Sequence, residues 1–314
     1  MNELERIALL RARFATASAA GVRVGIGDDA AVIDDGAGGS LVWTVDVQIE
    51  GTHFRAEWVS WRDVGWRSFM AAASDVAAMG ADPAYALSSL ALGPAIDDAA
   101  FEAIVTGQAE AAEEVGAPII GGNLARAAET SITTTLLGRT PAPILRAGAR
   151  PGDGLWLAGD VGLASAGLAV LERGSGNMHD ARISRWLDAW RRPRARVAEG
   201  RAMRGVAHAA IDVSDGLARD GGHVAEVSDV QLVFDAEALE SGLDGAIDLT
   251  GRAAIEHALF GGEDYALLAA ADAPIVGFRR VGSVEAYAGG ARTFLSRGGE
   301  REAIAPTGFD HFGG

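Results

Sequence analysis

The clearest period in the chain is helical. In RDVGWRSFMAAASDVAAMG, residues 62–80, the positions Val64, Phe69, Ala72, Val76 and Met79 fall on one apolar face, which predicts a helix. Asp75 stands in the middle of its Ala-rich stretch beside Ser74. Aspartate is a poor helix former, and one buried among alanines needs a partner such as a metal ion. Alternation takes over in SLVWTVDVQIEGTHF, residues 40–54, which predicts a strand ending in a turn that carries Asp46 and His53.

Shorter runs complete the pattern. MNELERIALLRARF is amphipathic and predicts a first helix. Strands are expected over 30–33, 84–92, 118–120 and 131–138, with a helix over 97–115; the strand at 118–120 closes on Gly121-Gly122-Asn123. Thr140-Pro-Ala-Pro reads as a linker, dividing an N-terminal domain, 1–140, from a C-terminal one, 141–314. The second half gives strands at 155–158, 209–213, 231–234 and 265–269, and helices over 163–171, from 217, and over 249–258. Residues 180–205 read as a solvated helix and turn, and 276–312 as strand-like pieces that end in two aromatics, Phe309 and Phe312. This order predicts an α+β chain of two α/β domains, the first a mixed sheet backed by helices.

Composition narrows the chemistry. The 314 residues carry a net charge of −16, which excludes a nucleic-acid backbone as partner. There is no Cys and no Lys, so all 27 basic residues are Arg. That removes cysteine nucleophiles, thiolate metal sites, Schiff-base lysines and the P-loop lysine together. No window approaches the apolar length of a membrane span, and the N-terminus lacks the apolar core of a signal peptide, so a cytoplasmic enzyme is expected.

Against that background the acids stand out. Asp28 and Asp29 follow Gly27, Asp212 and Asp215 flank Val213-Ser214 before Gly216, and Glu263 and Asp264 follow Gly261-Gly262. Gly25-x-Gly27-x-x-Ala30 spells a loose dinucleotide fingerprint, yet two carboxylates occupy the pyrophosphate position and a strand follows. In AIDVSDGLARD the strand delivers acids into a turn, with Ser214 or Asp215 expected to cap the next helix. Gly159-Asp160-Val161-Gly162 is a weak candidate phosphate cradle, and Arg191, Arg192, Arg194 and Arg196 form a basic run more in keeping with a solvated helix. Gathering Asp28, Asp29, Asp46, Asp75, Asp212, Asp215 and Glu263 is costly without cations, and together they suit a site with several Mg²⁺ ions for a nucleoside triphosphate.

The segments Gly27-Asp28-Asp29-Ala30, Asp46 to His53-Phe54, SDVAAMGADP (74–83), RAGARPGD (146–153), IDVSDGL (211–217) and GGEDY (261–265) resemble the thiamine-monophosphate kinase family. That family belongs to a superfamily with aminoimidazole ribonucleotide synthetase, selenophosphate synthetase and a hydrogenase-maturation protein. The resemblance runs in order from about residue 3 to GFDHF. It implies transfer of the ATP γ-phosphoryl group directly to thiamine monophosphate, with no covalent enzyme intermediate and no strong general base. It further implies Asp28, Asp46, Asp75, Asp212 and Asp215 as Mg²⁺ ligands, with Thr44 a further one. Gly122, Asn123, Arg146 and Ser214 are implied as ATP contacts, and His53, Glu263 and Phe309 as thiamine-side contacts; a homodimer through the N-terminal sheets follows in the same way. Three positions depart from the family pattern: Asn123 stands for Asp in Gly-Gly-Asp, Val45 for a hydroxyl residue and Phe309 for Trp. Asn123 keeps a carbonyl oxygen for metal without the charge. These departures leave room for a paralogue using ATP on another acceptor, or for a non-catalytic nucleotide-binding protein.

Overall fold

A computed structural model of the chain describes residues 3–14, 20–174 and 180–309. The first half runs α1 (Glu3–Phe14), β1 (Val22–Val24), β2 (Ala31–Asp34), β3 (Ser40–Ile49), α2 (Trp61–Ala78), β4 (Asp82–Leu92), α3 (Asp98–Val115), β5 (Ile119–Arg126) and β6 (Ser131–Thr140). The second runs β7 (Gly154–Ala158), α4 (Leu163–Arg173), α5 (Ala181–Arg191), α6 (Val197–Ala202), β8 (Ala209–Val213), α7 (Leu217–Ser228), β9 (Val230–Asp235), α8 (Ala236–Leu239), α9 (Ala246–Thr250), α10 (Ala254–Phe260), β10 (Ala266–Ala271), β11 (Arg279–Ala286), β12 (Thr293–Arg297) and β13 (Glu300–Ala303). The strands form two mixed sheets, of order β1-β2-β3-β6-β4-β5 and β13-β12-β9-β11-β7-β10-β8. The architecture is therefore two-domain α/β, as the order of apolar runs predicts.

Helix α2 organises both halves. It is buried nearly all round, from Val64 to Ala78 with Asp75 the exception, because it lies between the two sheets. Val42, Ala86 and Leu136 of the first sheet and Ala158, Ala210 and Leu267 of the second join Phe69, Ala73 and Val76 in one core. Ser60 caps the helix by accepting the Asp63 N–H. Alanines and Ser74 along α2 let strands approach closely from both sides, and this brings an acid of the helix next to acids of β8 and the loop before β2.

Four local expectations change. Asp46 lies within β3, paired with Thr134, and only His53 is in the turn that follows. Gly121-Gly122-Asn123 sits inside β5, where a Cβ on Gly122 would meet the Ser88 carbonyl oxygen at 1.7 Å. The pair of glycines looked like a strand end because they break alternation, but they are what lets β5 lie against β4. The 249–258 run is two helices, α9 and α10, separated where Gly251 turns left-handed at φ 77°. The 180–205 stretch is solvated on one side only. Helix α5 buries Ile183, Trp186, Leu187 and Trp190, and Arg192 and Arg194 pair with Asp63, Glu110 and Glu114 of α2 and α3. Phe312 lies outside the described residues.

The face of the first sheet turned away from α2 is apolar and exposed. Register places Trp43, Leu137 and Tyr85 in one row, and Val45, Thr135 and Leu87 in the next. Trp43, Val45, Tyr85 and Leu87 are all exposed there.

Candidate active site

Three carboxylates converge from different elements: Asp29 from the loop before β2, Asp75 from α2 and Asp212 from β8. One oxygen of each lies within 4.8 Å of the others. Each is oriented by a neighbour. The Arg146 guanidinium donates to Asp29 Oδ1 from Nε at 2.9 Å and Nη2 at 2.5 Å. The Thr44 hydroxyl donates to Asp75 Oδ2 at 2.5 Å, and the Ser74 hydroxyl to Asp212 Oδ2 at 2.7 Å. The Arg146 backbone N–H donates to Asp28 at 3.2 Å.

The electrostatics are incomplete. Burial pushes the Asp29 carboxyl up to about 8 despite Arg146, and Asp212 up to about 6 despite the Ser74 hydrogen bond. Asp75 is driven well above the usual carboxylate range by burial and then by Asp212 and Asp29. Asp46, beside them on β3, is raised to about 7 by burial and the charge of Glu263. Asp29 Oδ2 is buried without a hydrogen-bond partner. Hard oxygen donors, mutual repulsion and one buried oxygen with no protein donor fit a divalent cation of the Mg²⁺ kind.

Next to this group lies a cavity of about 410 Å³ between the two domains, lined by Asp46, Gln48 and His53 of the first and by Ser165, Trp190, Ser214, Asp215, Glu263, Tyr265 and Phe309 of the second. Its polar wall is braced by Arg67, whose side chain is 0% exposed. Arg67 donates from Nε to Gln48 Oε1 at 3.2 Å, from Nη1 to the Trp190 carbonyl at 3.0 Å, and from Nη2 to Glu263 Oε2. Its guanidinium also lies 4.6 Å from the centroid of the Trp190 ring. The Tyr265 hydroxyl donates to the same Glu263 oxygen at 3.1 Å. Glu263 and Tyr265 both have positive φ, 68° and 49°, and are held there by N–H bonds to the Ser214 and Val213 carbonyls. His53 Nδ1 accepts the Ile49 N–H at 3.1 Å, so the neutral ring carries its hydrogen on Nε2. The Phe309 N–H bonds to the Asp215 carbonyl at 3.1 Å, placing its ring on the cavity wall.

Near the cavity, carboxylates of the chain already take up backbone N–H groups in the turn before α7 and at the N-terminus of α4. Neither Ser214 nor Asp215 caps α7; instead Asp220 Oδ2, from the first turn, accepts the N–H groups of Ser214, Asp215 and Gly216 at 3.1 Å each. At α4, the Gly162 and Ala164 N–H groups donate to Asp264 at 2.6 and 3.1 Å. The Gly159–Gly162 turn is thus filled by a carboxylate of the chain and is no phosphate cradle.

Residues 27–140 match the family model for the AIR synthase related protein, N-terminal domain. The chain is 34% identical over 270 residues to the thiamine-monophosphate kinase of Mycobacterium tuberculosis, covering 84% of this chain and 79% of that protein. To the Aquifex aeolicus thiamine-monophosphate kinase it is 33% identical over 296 residues, 91% of this chain and 92% of the other. The chain belongs to the thiamine-monophosphate kinase family. A solved structure of AaThiL complexed with AMPPCP and TMP superposes with a TM-score of 0.88 at 30% identity, covering 99% of this chain and 97% of that one.

The structure brings together some of the residues that thiamine-monophosphate kinase motifs point to and separates others. Asp75, Asp212 and Thr44 meet at the acid group, with Asp28 bound to the Arg146 N–H at its edge. Asp46, Asp215, Ser214, His53, Glu263 and Phe309 line the cavity. Gly122 and Asn123 do not: they lie on β5, with β4 and β6 between them and β3. Asn123 pairs with Ser89, in line with the outer-face residues, whereas Gly122 pairs with Ser88 on the α2 side. Val45 also projects outward, so its departure from the family pattern concerns the outer face and not the acids.

Two contributors leave no trace in the sequence, and a third, Asp29, stands there among the acids while its neighbour Asp28 is the one implied as a ligand; the fold brings Asp29 within 4.8 Å of Asp75 and Asp212. Arg67 follows a tryptophan in what looks like one more helical turn, and its partner Glu263 is 196 residues away. Asp220 gave no signal beyond an acid in the first turn of a helix.

Proposed function

We infer that this chain is an ATP-dependent kinase that phosphorylates thiamine monophosphate, giving thiamine diphosphate. What carries the reading is a chain that superposes along nearly its whole length on AaThiL complexed with AMPPCP and TMP, with an acid group and a cavity side by side between its domains. The acceptor is itself a phosphate, already anionic, so a direct in-line transfer asks for no base and no covalent intermediate. A chain with neither Cys nor Lys is consistent with that route.

On our reading Asp29, Asp75 and Asp212 hold Mg²⁺, with Thr44, Asp28, Asp46 and Asp215 completing the set toward the cavity. Mg²⁺ bound there supplies neutralisation of the phosphoryl oxygens. Thr44 and Ser74 fix the directions of two carboxylates, and Arg146 keeps Asp29 turned into the group. His53, Glu263 and Phe309 are assigned to thiamine monophosphate, and Ser214 and Arg146 to ATP. The apolar wall of Trp190, Leu168 and Phe309 excludes water from one side of the cavity. We place the domain boundary at residue 140 and the enzyme in the cytoplasm, where ATP is abundant. We further propose a homodimer through the outer face bearing Trp43, Val45, Tyr85 and Leu87, which would put Gly122 and Asn123 at the subunit boundary and give them their ATP and metal roles there.

The test is direct. Purified protein with ATP, Mg²⁺ and thiamine monophosphate is expected to form thiamine diphosphate, detected as its fluorescent thiochrome derivative. Hydrolysis of ATP with no thiamine diphosphate would overturn the reading.

A further inference from the structure

Behind the cavity wall lies a buried chain of hydrogen bonds that the phosphoryl chemistry does not use. Ser165, on α4, lines the cavity. Its Oγ is 2.9 Å from His257 Nδ1, and His257 Nε2 is 2.7 Å from the Thr250 hydroxyl oxygen. The imidazole is fully buried.

The direction of each proton follows from the end of the chain. Thr250 Oγ1 lies 2.8 Å from the Ala246 carbonyl oxygen and 3.3 Å from that of Arg252. Were its hydrogen turned to His257, its lone pairs would face two carbonyl oxygens. The hydroxyl therefore donates to a carbonyl and accepts from His257 Nε2–H. Nδ1 is left as an acceptor and receives the hydrogen bond donated by the Ser165 hydroxyl. Burial also lowers the His257 pKa to about 4, so the ring is neutral at ordinary working pH. Gly261 makes the arrangement possible: a Cβ there would sit 2.3 Å from Ser165 Cβ and 2.7 Å from its Oγ.

We propose that His257 and Thr250 lock Ser165 as an acceptor-only oxygen on the cavity wall, and that this oxygen binds the exocyclic amine of the pyrimidine ring of thiamine monophosphate. The amine is the substrate's one N–H donor group. Ser165 is then a specificity-determining residue, and His257 a positioning residue acting through it. The inference rests on the substrate assigned above. An analogue with a carbonyl oxygen in place of the amine would set two acceptors against each other, and a site built for a donor rejects such an analogue strongly.

The experiment compares thiamine monophosphate with its 4′-oxo analogue, by calorimetric binding and by kcat/KM, in wild type, Ser165→Ala and His257→Phe, with the KM for ATP as control. Wild type is expected to favour the amine by about 100-fold. Ser165→Ala is expected to bring that ratio down by about tenfold or more with the KM for ATP unchanged. His257→Phe keeps the serine but frees its hydroxyl to rotate, and is expected to improve binding of the oxo analogue while weakening that of the amine. A merely structural role for His257 would weaken both ligands together. A Ser165→Ala protein that keeps the wild-type ratio sinks the proposal, even should His257→Phe fail to fold. If wild type binds thiamine monophosphate without turning it over, the kinase reading fails while the binding ratio still decides the role of Ser165. If wild type does not bind it, both fall.

Discussion

Two buried polar regions lie beside the same cavity, and they are built on opposite terms. Around Arg67 every strong group has its partner: the guanidinium is spent on Gln48, Trp190 and Glu263, and Tyr265 completes the carboxylate. Around Asp29, Asp75 and Asp212 each acid has one side-chain donor to one of its oxygens, one buried oxygen has none, and the carboxyl pKa values are pushed up. Folding stability explains the first region and works against the second. A protein tolerates such a deficit where a ligand's charge is to arrive. The satisfied side gives the cavity its shape and its pattern of donors and acceptors; the unsatisfied side is the one to which the proposed Mg²⁺ is assigned.

That contrast breaks most visibly at Asp212. Replacement by Ala or Asn is expected to lower thiamine diphosphate formation by about 10³-fold or more. In the metal-free protein, Asn is expected to leave the melting temperature equal or higher, because one of three crowded, buried carboxyls is replaced by a neutral amide. A variant that melts lower yet keeps its turnover would reverse the assignment of the two regions.

On the satisfied side the signs exchange. Arg67→Met strands Glu263 and is expected to cost about 3 kcal/mol in urea unfolding, the lower end for a broken buried pair because Glu263 is partly exposed. A loss no larger than that of an ordinary surface substitution would mean that the brace is not structural.

The smallest effect sharpens the electrostatics. Asp212, Asp46 and Asp29 are raised from the ordinary 3.8 to about 6, 7 and 8. Between 3.8 and those values the native state holds protons that the unfolded chain has released, so their contribution to stability is present at low pH and lost as pH rises through the folded values. Mg²⁺ competes with those same protons. The rise in melting temperature on adding saturating Mg²⁺ is therefore expected to be larger at pH 8 than at pH 6. An equal rise at both would detach metal binding from these carboxylates.

Much of this was legible in the chain. Period alone located α2 and, on it, an aspartate with no reason to be there, while alternation located β3 and the motifs located the family. What period does not carry is direction. Asp28 and Asp29 are adjacent and chemically identical, and only the turn before β2 decides which one enters the group. Glycine misled twice, at Gly122 inside a strand and at Gly251 between two helices, because close backbone approach and chain reversal use the same residue. Arg192 and Arg194 read as solvated since their carboxylate partners lie on α2 and α3, far away in sequence. The Ser165–His257–Thr250 chain left no trace, as each member is an ordinary residue until α10 folds back on α4.

The carboxylates of Asp220 and Asp264, seated on the turn before α7 and on the N-terminus of α4, have a consequence for how the protein reads its surroundings. A free helix end rewards any phosphate that approaches; the α4 end and the N–H groups leading into α7 have been spent in advance. In a chain of net charge −16, a bare nucleotide meets acids first. With Mg²⁺ bound as proposed, occupancy is expected to track the concentration of the cation-paired nucleotide and not the total pool, so that turnover counts complexes and falls when either component is scarce.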